Sequence, residues 1–462
     1  MKKTNIIMIL MDDMGWTDLG CTGSSFYETP QIDALCRQGM RFTQAYASCP
    51  VCSPSRASLL SGRYPARLGV TDWIDMTGDY HPCRGKLVDA PYLKHLPADT
   101  LSVAQALKEG GYQTWHVGKW HLGGGEYYPE RFGFDQNIGG CDWGHPHCGY
   151  FSPYHIHTLS EGPQGEYLTD RLTDEAIHLI ENAGDQPFFL NLCHYAVHTP
   201  IQAKAQDVAR FREKARTLGL DDQKAIVEGE WMPIWHKRNE HVQRRTLQSD
   251  PEYAAMIWNL DENIGRLVAA LKDAGKLENT MLVFTSDNGG LSTSEGSPTC
   301  NAPASEGKGW LYEGGTRVPL FICWHGTVEA GSECDTPVTT PDFYPTFLEA
   351  AGLAARPEQH CDGVSLLPLL QGKSLAPRPI FWHYPHYGNQ GGTPGSSVRL
   401  GDDKLIEFFE DGRLELYDLR KDLGESKDIS AEQPEKTREL AALLHEWQIA
   451  VQAKLPAVNG DY

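Results

Sequence analysis

The chain alternates short, continuously apolar runs with longer stretches of helical period. Asn5–Leu10 is apolar after its first residue and is followed by Met11 and two aspartates, which predicts a strand buried on both faces. Helical periods cover Pro30–Gln38, Leu101–Glu109, Thr169–Asn182, Glu252–Lys272 and Pro341–Ala351. Apolar runs at Tyr112–Val117, Pro187–His194, Thr280–Ser286 and Val318–Trp324 predict further buried strands between them. Such alternation implies an α/β fold, a large, mainly parallel mixed sheet sandwiched by helices, with ligands beyond the carboxyl ends of its strands. Between Ile201 and Glu252 runs a charged excursion without a strong period, expected to be a helical insertion near the site mouth. After Gly363 the pattern changes. Strand-like pieces at Pro379–Tyr384, Ser397–Leu400, Lys404–Phe409 and Arg413–Asp418 are separated by Gly-Asp-Asp and Glu-Asp-Gly turns. A last helix, Pro434–Leu455, carries Leu440, Leu444, Trp447 and Val451 on one stripe. The expected division is 1–372 for the large α/β domain and 373–462 for a small α+β domain, an antiparallel sheet with one helix.

Charge narrows the partners. With 41 Lys+Arg against 61 Asp+Glu in 462 residues, the net charge of −20 argues against a nucleic-acid binder. An anionic substrate would need a local basic pocket in an acidic body. No apolar run is long enough to span a bilayer. The opening Met-Lys-Lys-Thr has aspartates behind its apolar run and no small-residue cleavage site, so it does not read as a signal peptide. The expectation is a cytoplasmic protein, or a periplasmic or secreted one whose leader has been removed. Twelve scattered cysteines read as mostly buried thiols rather than a disulfide framework. Cys49-Pro-Val-Cys52 lacks a second half-site, Cys141-Asp-Trp-Gly-His-Pro-His-Cys148 suits a binding loop better than zinc, and His194-x-x-x-His198 follows a strand and lacks a metalloprotease glutamate.

Two acidic pairs stand at strand ends: Asp12-Asp13 after the first strand and Asp287-Asn288 after Thr280–Ser286. Singly each reads as a turn or a helix cap. If they converge, three carboxylates and an amide oxygen make an all-oxygen site, which calcium or magnesium prefers over zinc. Lys119 and Lys308 have glycine-flanked settings, Gly118-Lys119 and Gly307-Lys308-Gly309, that fit backbone turning tightly around a ligand rather than a solvated surface.

The stretch Cys52-Ser-Pro-Ser-Arg-Ala-Ser-Leu-Leu-Ser-Gly-Arg63 resembles the signature of the type I, formylglycine-dependent sulfatases of the alkaline phosphatase superfamily, departing only in Ser61 for threonine. Asp12-Asp13-Met-Gly-Trp-Thr-Asp-Leu-Gly, Gly118-Lys-Trp-His-Leu-Gly123, His198-Thr-Pro, Ser286-Asp-Asn-Gly289 and Gly307-Lys-Gly-Trp-Leu-Tyr-Glu-Gly-Gly315 are similar to the family's other motifs, in the same order. The likeness runs from Asn5 to about Leu419 and is nearest to bacterial polysaccharide and glycosaminoglycan exosulfatases. It implies an alkaline-phosphatase-like fold and hydrolysis of sulfate monoesters, most simply O-sulfate on a carbohydrate. It further implies that a maturing enzyme, formylglycine-generating or anaerobic, converts Cys52 to Cα-formylglycine. Asp12, Asp13, Asp287 and Asn288 would hold one calcium ion, with magnesium the lesser alternative. Arg56 would stabilise the hydrated aldehyde, Lys119 and Lys308 the transferring sulfuryl group, His121 would take a proton from the second hydroxyl, and His198 with Lys308 would protonate the leaving oxygen. For sugar binding, the expected residues are Trp143, His145 and His147 in one loop, and His383, Tyr384 and His386 in Trp-His-Tyr-Pro-His-Tyr. The rivals are a phosphonate monoester or phosphodiester hydrolase of the same superfamily, and a non-catalytic glycan-binding relative.

Overall fold

A computed structural model describes residues 3–462. Its centre is an eight-stranded sheet in the order Ser332–Cys334, Met40–Phe42, Leu320–Trp324, Thr280–Ser286, Asn5–Met11, Phe188–Cys193, Gln113–Gly118 and Gln136–Ile138. Among these strands only Leu320–Trp324 runs against the rest. Alternation along Asn5–Met11 shows why its run is apolar throughout. Ile7, Ile9 and Met11 enter the core beneath helices Pro30–Arg37, Leu168–Glu181 and Pro251–Asp273. Ile6, Met8 and Leu10 enter a second core beneath Val103–Glu109, Phe343–Ala350 and Cys52–Ser61.

The small sheet is antiparallel, in the order Ile380–Tyr384, Gly395–Leu400, Asp403–Phe408 and Leu414–Asp418. One face carries Phe381, Val398, Leu405 and Leu416 against Leu440 and Leu444 of helix Pro434–Ala450, which stops short of the expected Leu455. The other face, with Ile380, Trp382, Tyr384 and Ile406, packs on Tyr46, Cys49 and Val51, immediately before helix Cys52–Ser61. The small sheet thus braces the start of that helix.

The excursion expected to be helical divides in two. Helix Ala205–Thr217 buries Val208, Phe211 and Ala215 in the core shared with Pro251–Asp273. The remainder is a hairpin of Ile226–Trp231 and His241–Arg245. Its charges pair across the strands, as Arg244 does with Glu230 at 2.6 Å, so the apolar alternation that marks a strand is weak. Among the described residues no helix is long and apolar enough to cross a membrane.

Candidate active site

Four adjacent parallel strands end level with one another. Met11 is opposite Ser286, Leu10 opposite Cys193, and Gly118 opposite Cys193. Whatever follows these residues shares one rim of the sheet: Asp12 and Asp13, Asp287 and Asn288, Lys119 and His121, and the segment leading to His198. Pairing continues past the strand ends, with Asp12 N donating to Ala196 O, Asp287 N to Met11 O and Lys119 N to Cys193 O at 2.8–3.1 Å. Gly118 is needed here. Its φ is 97°, and a Cβ would lie 1.9 Å from Cys193 O.

Helix Cys52–Ser61 brings in the remaining groups. Val51 is extended before it, and Gly62 in the left-handed region closes it. Cys52, in the first turn, is 3% exposed, and burial raises its thiol pKa despite the nearby Lys119 and Lys308. The Cys52 Sγ, which stands where the hydroxyls of a formylglycine hydrate would stand, is 3.2 Å from His121 Nδ1. The other His121 nitrogen, Nε2, is 2.9 Å from Ile74 O. Because a carbonyl only accepts, the proton sits on Nε2, and Nδ1 presents its lone pair to Cys52. Burial and then Lys119 keep this imidazole well below its usual pKa, hence neutral.

His198 has the mirrored arrangement. Its Nδ1 is 2.8 Å from Thr199 O, and its Nε2 accepts from Lys308 Nζ at 2.9 Å. Burial and Lys308 hold it well below the ordinary imidazole range. Lys308 also donates to Asp13 Oδ2 at 2.8 Å, Lys119 to Asp12 Oδ2 at 2.7 Å, and Arg56 Nε to Asp287 Oδ2 at 2.8 Å.

Three buried carboxylates are thus matched by three buried cations, yet the fit is incomplete. Burial, with the repulsion of Asp287 added, pushes Asp12 up to about 8 against the pull of Lys119. For Asp13 burial acts the same way but is outweighed, chiefly by the charge and hydrogen bond of Lys308, which hold it below the usual range. Asp12 Oδ1 and Asn288 Oδ1 are buried without a hydrogen-bond partner. Orphaned oxygens on two neighbouring strands, beside carboxylates that repel one another, suit a hard cation.

Above Cys52, His121, His198 and Lys308 opens a cleft of about 890 Å³. Trp143, His145 and His147 line it, with Trp143 and His147 stacked at 4.3 Å. Gly144 lets their loop lie on His121, since a Cβ there would be 2.6 Å from the ring. His383 and His386 do not line it. Strand alternation turns His383 away from Trp382 and Tyr384, between Ser396 Oγ at 2.6 Å and Lys454 O at 2.9 Å, and His386 is fully buried against Thr71 at 2.9 Å. Sequence reasoning missed Trp73, Asp75, Lys237, Glu295, Asn389 and Gln390, all in the lining. The run Gly388-Asn-Gln-Gly-Gly392 was a readable sign of a loop there. The twelve cysteines are all free thiols. Cys49 Sγ points to Thr71 O, Cys141 Sγ to Tyr195 Oη and Cys148 is exposed, so neither cysteine pair converges.

A sulfatase profile matches residues 4–353, and one for the C-terminal part of N-sulphoglucosamine sulphohydrolase matches 306–454. A sulfatase of Formosa agariphila is 31% identical, covering 95% of this chain and 87% of its own. The N-acetylgalactosamine-6-sulfatase of Homo sapiens is 32% identical over 83% of this chain and 68% of its own. The crystal structure of Ps i-CgsB in complex with k-i-k-neocarrahexaose superposes with a TM-score of 0.77 at 30% identity, covering 96% of this chain and 92% of that one. Sulfatases in general work with a metal ion and a formylglycine. With that match across most of its length and the signature cysteine at the floor of the cleft, the chain belongs to the sulfatase family and is a sulfuric ester hydrolase.

Proposed function

We propose that this enzyme removes O-sulfate from a carbohydrate. The observation that carries the reading is the cleft over Cys52, where Trp73 and Trp143 offer apolar faces and His145, His147, Asn389 and Gln390 offer polar edges. Such a lining suits a sugar ring, whereas a small aryl sulfate needs only the floor. The relative crystallised with k-i-k-neocarrahexaose supports it. Residues 373–462 act as the part that completes this pocket, through Asn389 and Gln390.

Cys52, once converted by a maturing enzyme, supplies a hydrated aldehyde with one hydroxyl to attack sulfur and a second to expel sulfate. Asp12, Asp13, Asp287 and Asn288 would hold the metal ion, read as calcium, which when bound would supply positive charge beside the Cys52 position. Arg56, Lys119 and Lys308 place three fixed cations in a water-poor site where the sulfuryl group gains negative charge. His121 Nδ1, facing the Cys52 position with its lone pair, takes the proton of the second hydroxyl. Lys308 holds a proton against His198 Nε2, so the two together deliver it to the leaving sugar oxygen.

The test is parallel turnover of defined sulfated mono- and oligosaccharides, an aryl sulfate, a phosphate diester and a phosphonate. Sulfated sugars as the preferred substrates uphold the reading. Faster turnover of the diester or phosphonate overturns it in favour of the superfamily rival, and glycan binding without turnover despite confirmed aldehyde favours a non-catalytic relative. Within the cleft, His147→Ala should lower kcat/KM on the sugar and spare the aryl sulfate. Equal losses on both would remove His147 from sugar recognition.

A further inference from the structure

Outside the catalytic site, the segment Thr71–Tyr92 and the turn after strand Ile380–Tyr384 bring two carboxylates and two imidazoles together below the surface. Asp72 and His386 are fully buried, and the side chains of Asp89 and His81 are 3% and 5% exposed. Each uses one polar atom to fix its orientation. Asp72 Oδ1 accepts from Trp73 N at 2.8 Å and from Tyr384 Oη at 3.0 Å. Asp89 Oδ2 accepts from Cys83 N at 2.6 Å and is 3.1 Å from His81 Nδ1. His386 Nε2 is 2.9 Å from Thr71 Oγ1. The second atom of each, Asp72 Oδ2, Asp89 Oδ1, His386 Nδ1 and His81 Nε2, is buried and has no hydrogen-bond partner.

Three of these orphaned atoms, Asp72 Oδ2, Asp89 Oδ1 and His386 Nδ1, lie within 4.8 Å of one another, and His81 Nε2 stands beside them. His386 Nδ1 is 3.4 Å from Asp89 Oδ1 and 3.7 Å from Asp72 Oδ2, and His81 Nε2 reaches the same Asp72 oxygen at 3.8 Å. Donors around a tetrahedral zinc ion, at bond lengths of about 2.0–2.1 Å, stand about 3.3–3.4 Å apart. The Asp72, Asp89 and His386 trio is therefore more open than a loaded zinc site, and His81 must close in to complete it. Lys94 makes no ion pair with either acid, its ammonium being directed onto Tyr92, 4.0 Å from that ring's centre.

We propose that Asp72, Asp89 and His386, with His81 as the fourth donor, form a structural zinc site distinct from the catalytic metal site. Two carboxylates and two neutral imidazoles sum to zero charge with a divalent ion, and the mixed nitrogen and oxygen set suits zinc better than calcium or magnesium. The hydrogen bond from His81 Nδ1 to Asp89, and those on the far oxygen of Asp72, are the outer partners that orient metal ligands. The ion would staple the cleft wall to the small sheet, since Trp73 lines the cleft and Ile74 O fixes the His121 tautomer.

Elemental analysis of the full chain, equilibrated with zinc and dialysed in the presence of calcium, tests this. Wild type and Asp287→Asn should each retain one equivalent of zinc, and His386→Ala and Asp72→Asn should lose it while keeping calcium. Cobalt added to chelator-stripped wild type gives a readout that needs no variant: a visible absorption band of four-coordinate cobalt, displaced by zinc. Failure of folded wild type to take up either ion overturns the proposal, as does zinc that survives in both His386→Ala and Asp72→Asn or vanishes in Asp287→Asn.

Discussion

At the scale of single residues, His121 and His198 differ in which nitrogen carries the proton, and the partner carbonyls of Ile74 and Thr199 decide it. Both are neutral for the same reason, burial beside a lysine. The acid limb of kcat/KM on an aryl sulfate should therefore lie well below pH 6.5, and a limb at 6.5 would assign the titration to another group. His198→Ala should cost about 10²–10⁴ in sulfuryl transfer from a sugar sulfate, whose alkoxide leaves poorly, and far less from a nitrophenyl sulfate. Equal losses, with aldehyde and metal content unchanged, would leave Lys308 as the proton donor. Cys52→Ala should abolish turnover with an unchanged unfolding midpoint. The residues gathered at the sheet's rim stand in short motifs, and Asp12, Asp13, Lys119, Asp287 and Asn288 directly follow apolar strands, which is why the sequence brings them to notice. His383 and His386 were misread because Trp-His-Tyr-Pro-His-Tyr has the composition of a sugar-binding segment. Period-two alternation sends Trp382 and Tyr384 to one face of the small sheet and His383 to the other.

At the scale of elements, the long buried strands and their helices were legible to within a few residues, since burial on both faces writes a continuous apolar run. The short strands Met40–Phe42, Ser332–Cys334 and Gln136–Ile138 were not, because three residues carry no period. One part of the joint between the large and small sheets was also invisible, because that part is built from charge. Glu313, in the short helix Glu313–Thr316, is fully buried with Lys404 Nζ at 3.0 Å and Arg317 Nε at 2.8 Å, and Glu425 meets the same Lys404 at 2.8 Å. Burial opposes ionisation of Glu313, but Lys404, Arg317 and Arg399 outweigh it and hold the carboxyl at about 2 against an ordinary 4.5. The ionised form is the stabilising one, so its contribution is complete above pH 4.5 and is lost as pH falls from there towards 2. Glu425, pushed up to about 7 by burial, has the opposite sign, and its cost grows as pH rises from 4.5 towards 7. Glu313→Gln should flatten the acid side of the stability profile measured by urea unfolding. Lys404→Met, which strands two buried carboxylates, should cost about 3–5 kcal/mol in the same measurement near neutral pH.

At the scale of the whole molecule, the rim is assembled from residues 12, 52, 119, 198, 287 and 308, so no contiguous part of the chain carries a working site. Removal of calcium should lower the melting temperature and abolish turnover together, with both restored by calcium, because an ion bound only by the folded rim stabilises in proportion to the logarithm of its concentration over its dissociation constant. Loss of activity without loss of stability would separate the ion from Asp12, Asp13, Asp287 and Asn288. The burial of Cys52 also sets an order of events in time. Helix Cys52–Ser61 is buried along its whole length, including Pro54 and Arg56, so an enzyme that reads this stretch as a linear motif cannot grip it once the sheet has closed. Closure waits for Lys308, and at about 5–20 residues per second the chain from Arg63 to Lys308 takes roughly 10–50 s to synthesise. On the proposed reading, conversion of Cys52 would be confined to that interval and to whatever folding time follows it. A peptide spanning Cys52–Arg63 should accordingly be converted by a maturing enzyme, while folded, unconverted protein should be refractory until it is unfolded. The share of active molecules in any preparation then records a race between modification and folding, and slowing translation or folding should raise it.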